Sequence, residues 1–341
     1  MTSLTNVKAT ILTIFSAALV CVGFAMPKDP LVGYYRAPAD RGTYMCAEVF
    51  RTGTEAQPLY RIKFMPAIMN RCETYAAINS VKPENGELKF DNGAFSGTVS
   101  NGGIKLARKH KYGVSKYDLK KVDFVSPTMG AKPPEDAIIL FDGKNMDAWE
   151  HLDGSKPMWA LEGGEMIVKP RVKNAEGKNS GGTMRTKEKF AGPLRLHVEF
   201  NLPPRYGSDA PGARANSGVY FGDFEIQVLE GFGFEGNWGD IGAVYRQVAP
   251  HVNACTEPGS WQTFDIIFKP AKIEGGKILL PRFTVWHNGV RIHNDSPVRY
   301  GTALFPDAGV NYKHSEDPIA IKLQDHGAPI RYRNIWLQKL D

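Results

Sequence analysis

The sequence predicts an all-β protein in which two antiparallel sheets pack face to face, a sandwich or jelly roll, preceded by a smaller β-rich domain. Three observations predict it. Short stretches alternate apolar and polar residues with a period of two, most cleanly from Pro193 to Leu202, where Leu194, Leu196, Val198, Phe200 and Leu202 share one side. Glycine and proline are frequent, 35 and 23 among 341 residues, as many turns between short strands require. No long amphipathic helical pattern is visible.

The chain opens with a segment of a different kind. Met1 to Lys8 holds one Lys and no acid, Ala9 to Val22 is mainly apolar, and Gly23-Phe24-Ala25 puts small residues where a leader peptidase cuts. Residues 1–25 therefore read as a secretory signal peptide, too short in its apolar run for a spanning helix. The expected location is the bacterial periplasm or the extracellular space, with no transmembrane segment in the mature chain. Cys21 leaves with the leader, and Cys46, Cys72 and Cys255 remain. An exported chain meets oxidising conditions, so Cys46 and Cys72 are candidates for one disulfide and Cys255 for a buried free thiol.

Residues 26–125 hold strand-like stretches, among them Tyr44–Phe50, Leu59–Phe64 and Leu88–Phe90, cut by Gly, Asn and Pro. They form the β-rich N-terminal domain and carry no chemical motif. Residues 126–136, with three prolines and no apolar periodicity, read as the linker. Residues 137–341 are the second domain. Within it Phe224–Val228 turns Phe224, Ile226 and Val228 inward and leaves Glu225 and Gln227 together on the opposite side. Ile319–His326 repeats the pattern, with Lys322, Gln324 and His326 on the polar side. Phe283–Ile292 contains Asn288-Gly289 between strand-like runs, the signature of a tight hairpin turn.

The charge, 42 basic against 36 acidic residues, comes to a formal +6. The basic residues read as spread along the chain, so nucleic acid is not an expected partner. Gly-x-Gly-x-x-Gly, phosphate-loop and Gly-x-Ser-x-Gly motifs are absent, which argues against nucleotide and serine-hydrolase chemistry. Regular metal-binding spacings are absent too, leaving a metal to be assembled only from separate strands, with Glu199, Glu225 and His326 as candidate ligands.

Two segments carry candidate chemistry. Glu225-Ile226-Gln227-Val228-Leu229-Glu230 holds two carboxylates and an amide, but regular alternation puts Glu225 and Glu230 on opposite faces, so both reach one pocket only through a bulge. Glu225 alone reads first as a solvated strand residue. Leu323-Gln324-Asp325-His326-Gly327 puts a His at a strand end, where it can act as a base or ligand oriented by Asp325 or Gln324, or simply be a hydrogen-bonded residue near a turn.

Beyond these segments, an ordered series of pieces runs through the second domain. It comprises Leu140-Phe141-Asp142-Gly143-Lys144-Asn145, Gly164-Glu165-Met166-Ile167, Thr186-Lys187 and Leu196-His197-Val198-Glu199-Phe200. It continues with Asn216-Ser217-Gly218-Val219-Tyr220-Phe221, the Glu225 strand, Gly242-Ala243-Val244-Tyr245, Gly259-Ser260-Trp261-Gln262, Leu323–Gly327 and Tyr332-Arg333-Asn334-Ile335. In sequence and spacing the series resembles the bacterial 3-keto-disaccharide hydrolase family, also called 3-keto-glycoside hydrolase/lyase, from Ala137 to Leu340. Glu230 stands where the family more often has Asp, and Tyr332 where Phe is common; the N-terminal region lies outside the resemblance.

The resemblance implies a concanavalin-like jelly roll that acts on glycosides whose glucose ring is oxidised at C3. A ketone there acidifies the C2 hydrogen, so a base can remove it, the enolate expels the C1 group, and water adds to the unsaturated sugar. The expected roles are His326 as base or metal ligand and Glu225 as its partner. Gln227, Gln324, Asn216 and Tyr245 would bind the sugar, and Arg333 or Lys187 would offset developing negative charge, although Arg333 reads rather as half of a structural ion pair. One divalent metal ion of unspecified identity is a possible cofactor under this reading. The alternatives are a non-catalytic carbohydrate-binding module, whose sugar-stacking candidates are the six tryptophans 149, 159, 238, 261, 286 and 336, and a two-carboxylate glycosidase acting on unoxidised sugars. Oligomeric state is not predicted.

Overall fold

The computed structural model describes residues 28–38, 44–69, 71–173, 179–180, 182–204, 214–304 and 312–341. The expected signal peptide lies outside the described residues. Among those described there is no helix, and none is therefore long and apolar enough to cross a membrane. The chain is all-β, in antiparallel sheets, as the period-two patterning requires.

The first sheet has nine strands. Its spatial order is Ala76–Val81, Pro58–Met65, Cys46–Gly53, Gly33–Arg36, Gly113–Val122, Gly103–His110, Phe95–Ser100, Glu87–Asp91 and Pro83–Glu84. The sheet curls so that its two ends approach, and Ile62, Phe64, Leu88, Val99, Ile104 and Leu119 fill its interior, fully buried. Positive charge is less evenly spread than the sequence suggests: the hairpin of Gly103–His110 and Gly113–Val122 displays Lys105, Lys109, Lys116 and Lys120, relieved by Asp118 between Lys105 and Lys120. Cys46 and Cys72 are free thiols, each on a carbonyl of the same turn, Pro66 and Ala67, and are not bridged. Cys255 is a buried free thiol.

An eight-stranded sheet and a five-stranded sheet make up the rest. The first runs Ala160–Glu162, Glu165–Ile167, Arg331–Lys339, Leu194–Asn201, Trp261–Lys269, Arg282–His287 and Val290–Pro297, with Ile138–Phe141 also on Arg331–Lys339. The second runs Trp149–His151, Met184–Thr186, Ile321–Leu323, Asn216–Phe221 and Phe224–Leu229. The predicted alternation is what joins them. Phe221 and Phe224 of the smaller sheet meet Phe268 and Phe283 of the larger at ring separations of 5.2 to 6.3 Å. Burying each such ring stabilises the sandwich by about 1.5 to 3 kcal/mol. Asn288 and Gly289 take φ of 51° and 77°, so the Asn-Gly turn closes the hairpin as expected.

Residues 126–136 are held against the larger sheet. Ser126 Oγ and Thr128 Oγ1 lie 2.6 and 3.0 Å from Thr263 Oγ1, Thr128 Oγ1 donates to Asp265, and the Gly130 N–H donates to Glu199 Oε1 at 2.6 Å. The Pro-rich segment between the two domains is thus a strap docked on the sheet. The two parts of the chain also touch directly, through Tyr34 against Phe232, Phe50 against Phe234 and Lys63 to Glu235 at 3.2 Å.

Candidate active site

The outward face of the five-stranded sheet gathers the polar side chains that alternation leaves over. Gly222 at φ 61° turns Asn216–Phe221 into Phe224–Leu229, and the two-residue connection fixes the register: Tyr220 opposes Glu225, Gly218 opposes Gln227, and Asn216 opposes Leu229. Strand Ile321–Leu323 continues the row by setting Lys322 opposite Tyr220, and Met184–Thr186 sets Arg185 opposite Lys322. The Gln324 N–H donates to Gly218 O at 2.9 Å, which holds Gln324 beside the glycine over which the Glu225 carboxylate lies.

A short segment adds to the other edge. Val244 bridges Ile226, with hydrogen bonds from Gln227 N to Ala243 O and from Tyr245 N to Glu225 O. Because Ile226 and Val244 both face the core, Tyr245 shares the face of Glu225. One row across the sheet therefore reads Tyr245, Glu225, Tyr220, Lys322, Arg185.

Glu225 is 3% exposed. Burial pushes its carboxyl up to about 7, against a hydrogen bond from the Tyr220 hydroxyl that favours the ionised form. Burial beside that carboxylate in turn holds the Tyr220 phenol well above its ordinary value, so it stays a donor. Gln324 Nε2 donates to Tyr220 Oη at 3.2 Å, and the Thr302 hydroxyl accepts from Glu225 N at 3.0 Å. On the same face stand three amide oxygens that are buried without a hydrogen-bond partner among the described residues: Asn216 Oδ1, Gln227 Oε1 and Gln324 Oε1. Each such orphan costs about 1 to 3 kcal/mol, so their clustering on one face is a signature of a ligand that supplies donors.

Five of the expected residues, Glu225, Gln227, Gln324, Asn216 and Tyr245, thus come together. The others do not. Strand Ile321–Leu323 stops three residues short of His326, because Asp325 accepts from Gly327 N at 2.9 Å and Arg171 N at 2.8 Å and bends the chain. His326 is left exposed in that bend, with no hydrogen bond or ion pair among the described residues, and Asp325 is already occupied and does not orient it. Lys187 lies one residue beyond Met184–Thr186, exposed and without a side-chain partner among the described residues.

Arg333 and Glu199 belong to the other sheet. Arg333 Nε donates to Glu199 Oε2 at 2.7 Å and its guanidinium covers Trp261 at 3.9 Å, a structural ion pair. Burial raises Glu199, but hydrogen bonds from His197, Asn334, Arg333 and the Gly130 N–H outweigh it and hold the carboxyl at about 2. The expected ligand set Glu199, Glu225 and His326 is therefore not assembled, and no group of three His, Cys, Asp or Glu side chains suited to a metal occurs among the described residues. Glu230, past the end of the Glu225 strand, is tied to Phe232 N at 3.0 Å beside buried Arg214, a separate environment from Glu225.

Tyr220, Gly218 and Lys322 escaped the reading of roles. The signal was present: Asn216–Phe221 alternates as the Glu225 strand does, and pairing the two across Gly222-Asp223 puts Tyr220 beside the carboxylate.

Residues 136–338 match the family model described as the 3-keto-alpha-glucoside-1,2-lyase-like domain. Among solved structures, a Parabacteroides distasonis protein provisionally named a glycosyl hydrolase is 32% identical over 61% of this chain and 85% of its own, with a TM-score of 0.52. A second protein of that organism with the same provisional name is 17% identical over 61% of this chain and 95% of its own, with a TM-score of 0.44. Comparison with curated proteins gave no match.

Proposed function

The chain belongs to the 3-keto-alpha-glucoside-1,2-lyase-like family, and from this premise we propose that it is an exported carbohydrate-active enzyme that cleaves C3-oxidised glucosides by elimination and hydration. The observation that carries the reading is the buried carboxyl of Glu225, raised to about 7 on a face that also holds orphaned amide oxygens.

In this scheme Glu225 removes the C2 proton. A base with pKa near the working pH combines a useful ionised fraction with real driving force, and burial supplies that match. The C2–H electron pair moves into the ring-carbon framework as the ketone oxygen becomes an enolate, and return of those electrons breaks the C1–O bond. The proton now on Glu225 is available to the departing oxygen. Water then adds across the new double bond, so the net change is hydrolysis.

Asn216, Gln227 and Gln324 turn acceptors toward sugar hydroxyls, which holds the ring while Tyr220 fixes the carboxylate. Lys322 and Arg185, the cations in the same row, are placed to offset charge on the enolate, the role the sequence suggested for Arg333 and Lys187. The oxygen donors open to a divalent ion on this face are Glu225 and the same three amides, hard ligands of the type such an ion takes, and a bound ion would polarise the ketone.

The test is turnover of methyl 3-keto-α-glucoside and methyl α-glucoside side by side in deuterated water. Cleavage of the keto sugar alone, with deuterium at C2 of the product, supports elimination. Cleavage of the unoxidised glucoside without exchange replaces it with direct displacement.

A further inference from the structure

The six tryptophans separate sharply by environment. Trp149, Trp159 and Trp336 are buried, Trp261 and Trp286 are half-buried, and Trp238 is 43% exposed. Trp238 sits in a turn that packs against the edge of the site. Asn237 Oδ1 accepts from Gly239 N at 2.8 Å, Asp240 Oδ2 accepts from Asn237 N at 3.1 Å, and buried Arg214 donates to Asp240 Oδ1 at 2.8 Å. Gln227 Nε2 reaches Gly239 O at 3.4 Å, so the amide beside Glu225 is in direct contact with the turn that carries the indole.

Arg246 closes the arrangement. Its N–H donates to Trp238 O at 2.7 Å, it holds a positive φ of 61°, and its guanidinium lies 4.9 Å from the Trp238 ring and 5.6 Å from the Tyr245 ring. A left-handed conformation in a non-glycine residue is costly and is kept where the surroundings demand it. Arg246 Nε and Gln227 Oε1 are both buried without partners among the described residues, a donor on the residue packed against the indole and an acceptor on the residue that contacts its turn. Gln227, with 4% exposure, is the group whose orphaned oxygen marks this edge as a place for a ligand.

We propose that Trp238, backed by Arg246, is a ring-stacking subsite that receives the sugar ring linked to the one reacting at Glu225. An indole presents a large, rigid apolar face that suits the C–H face of a pyranose. The orphaned donor of Arg246 and acceptor of Gln227 suit the equatorial hydroxyls of such a ring. The enzyme would then prefer a disaccharide to a glucoside with a small leaving group. This deepens the proposed function and rests on it only for which ring reacts.

The experiment compares wild type with Trp238→Ala and Trp238→Phe on a 3-keto disaccharide and on methyl 3-keto-α-glucoside. Trp238→Ala is expected to lower the disaccharide-to-methyl ratio of kcat/KM about tenfold, chiefly through KM, as loss of one aromatic anchor does. Trp238→Phe should recover most of the ratio. An unchanged ratio, with either equal losses on both substrates or none, overturns the proposal. If wild type cleaves neither substrate, the functional reading fails separately, and equilibrium binding of the two sugars decides the subsite. Tighter disaccharide binding that is lost in Trp238→Ala supports it, and equal binding of both sugars by wild type overturns it.

Discussion

The carboxylate of Glu225 leans over Gly218: a Cβ added at Gly218 would press on Glu225 Oε1 and come within 3.0 Å of its Cδ. The glycine belongs to the neighbouring strand, opposite Gln227, and its missing side chain is what lets the acid lie flat on the sheet between two tyrosines.

Gly218→Ala is accordingly expected to turn Glu225 out of its position. Overpacking of this kind costs about 1 to 3 kcal/mol, and a displaced base costs about 10- to 100-fold in kcat. Denaturant melts and steady-state kinetics on a 3-keto glucoside measure the two effects. Unaltered kcat would show that the place of the carboxylate is immaterial.

Replacing Glu225 by Gln should cut turnover at least about 100-fold, the range for loss of a general base. It should also stabilise the fold at alkaline pH. The folded Glu225 carboxyl titrates near 7 against an unfolded value near 4.5, so the folded state binds more protons between these limits and stability falls as pH rises through that window. Glu225→Gln escapes this fall and is expected to be about 1 to 3 kcal/mol more stable than wild type at pH 8, and no more stable at pH 4. Urea titrations at the two pH values test it.

Tyr220→Phe removes the hydrogen bond that favours ionised Glu225. The rising limb of kcat/KM against pH, expected near 7 in wild type, should move to higher pH in the variant. A limb that stays in place would mean that another group is the base.

Glu199 is the structural counterpart. Its carboxyl is held at about 2 in the folded state, below its unfolded value, so it contributes stability above about pH 4.5 that is lost as pH falls toward 2. Glu199→Gln is expected to lower stability by about 1 to 3 kcal/mol at pH 7, with the two proteins converging near pH 2, while kcat on a 3-keto glucoside is retained. Loss of turnover without loss of stability would place Glu199 in the chemistry after all.

For export, N-terminal sequencing of protein recovered from the periplasm of a bacterial host should read from Met26. Recovery from the cytoplasm with Met1 retained would overturn the leader reading.

Much of the site was legible because strand alternation is a local property. Glu225 and Gln227 share a side by period alone, and the two-residue turn at Gly222-Asp223 extends that inference to Asn216, Gly218 and Tyr220. His326 lies apart from Glu225 for an equally local reason that alternation does not carry: Asp325 takes two backbone N–H groups and ends the strand before the histidine. Glu199 and Arg333 lie apart for a non-local one. Their strands also alternate, but they lie in the opposite sheet, where a strap from residues 126–131 covers them.

The sequence by itself determined the all-β class, the inward and outward sides of the main strands, the Asn-Gly hairpin and the family. Each depends on residue type at short spacing, which the backbone reads directly. Only the tertiary structure decided which polar faces meet. Whether a carboxylate is buried to about 7 or held at about 2 depends on what packs over it, and those partners come from strands and loops far away in the chain. The same distinction separates Trp238 from its buried counterparts, since an indole becomes a binding surface only where the fold leaves it uncovered beside unpaired donors and acceptors.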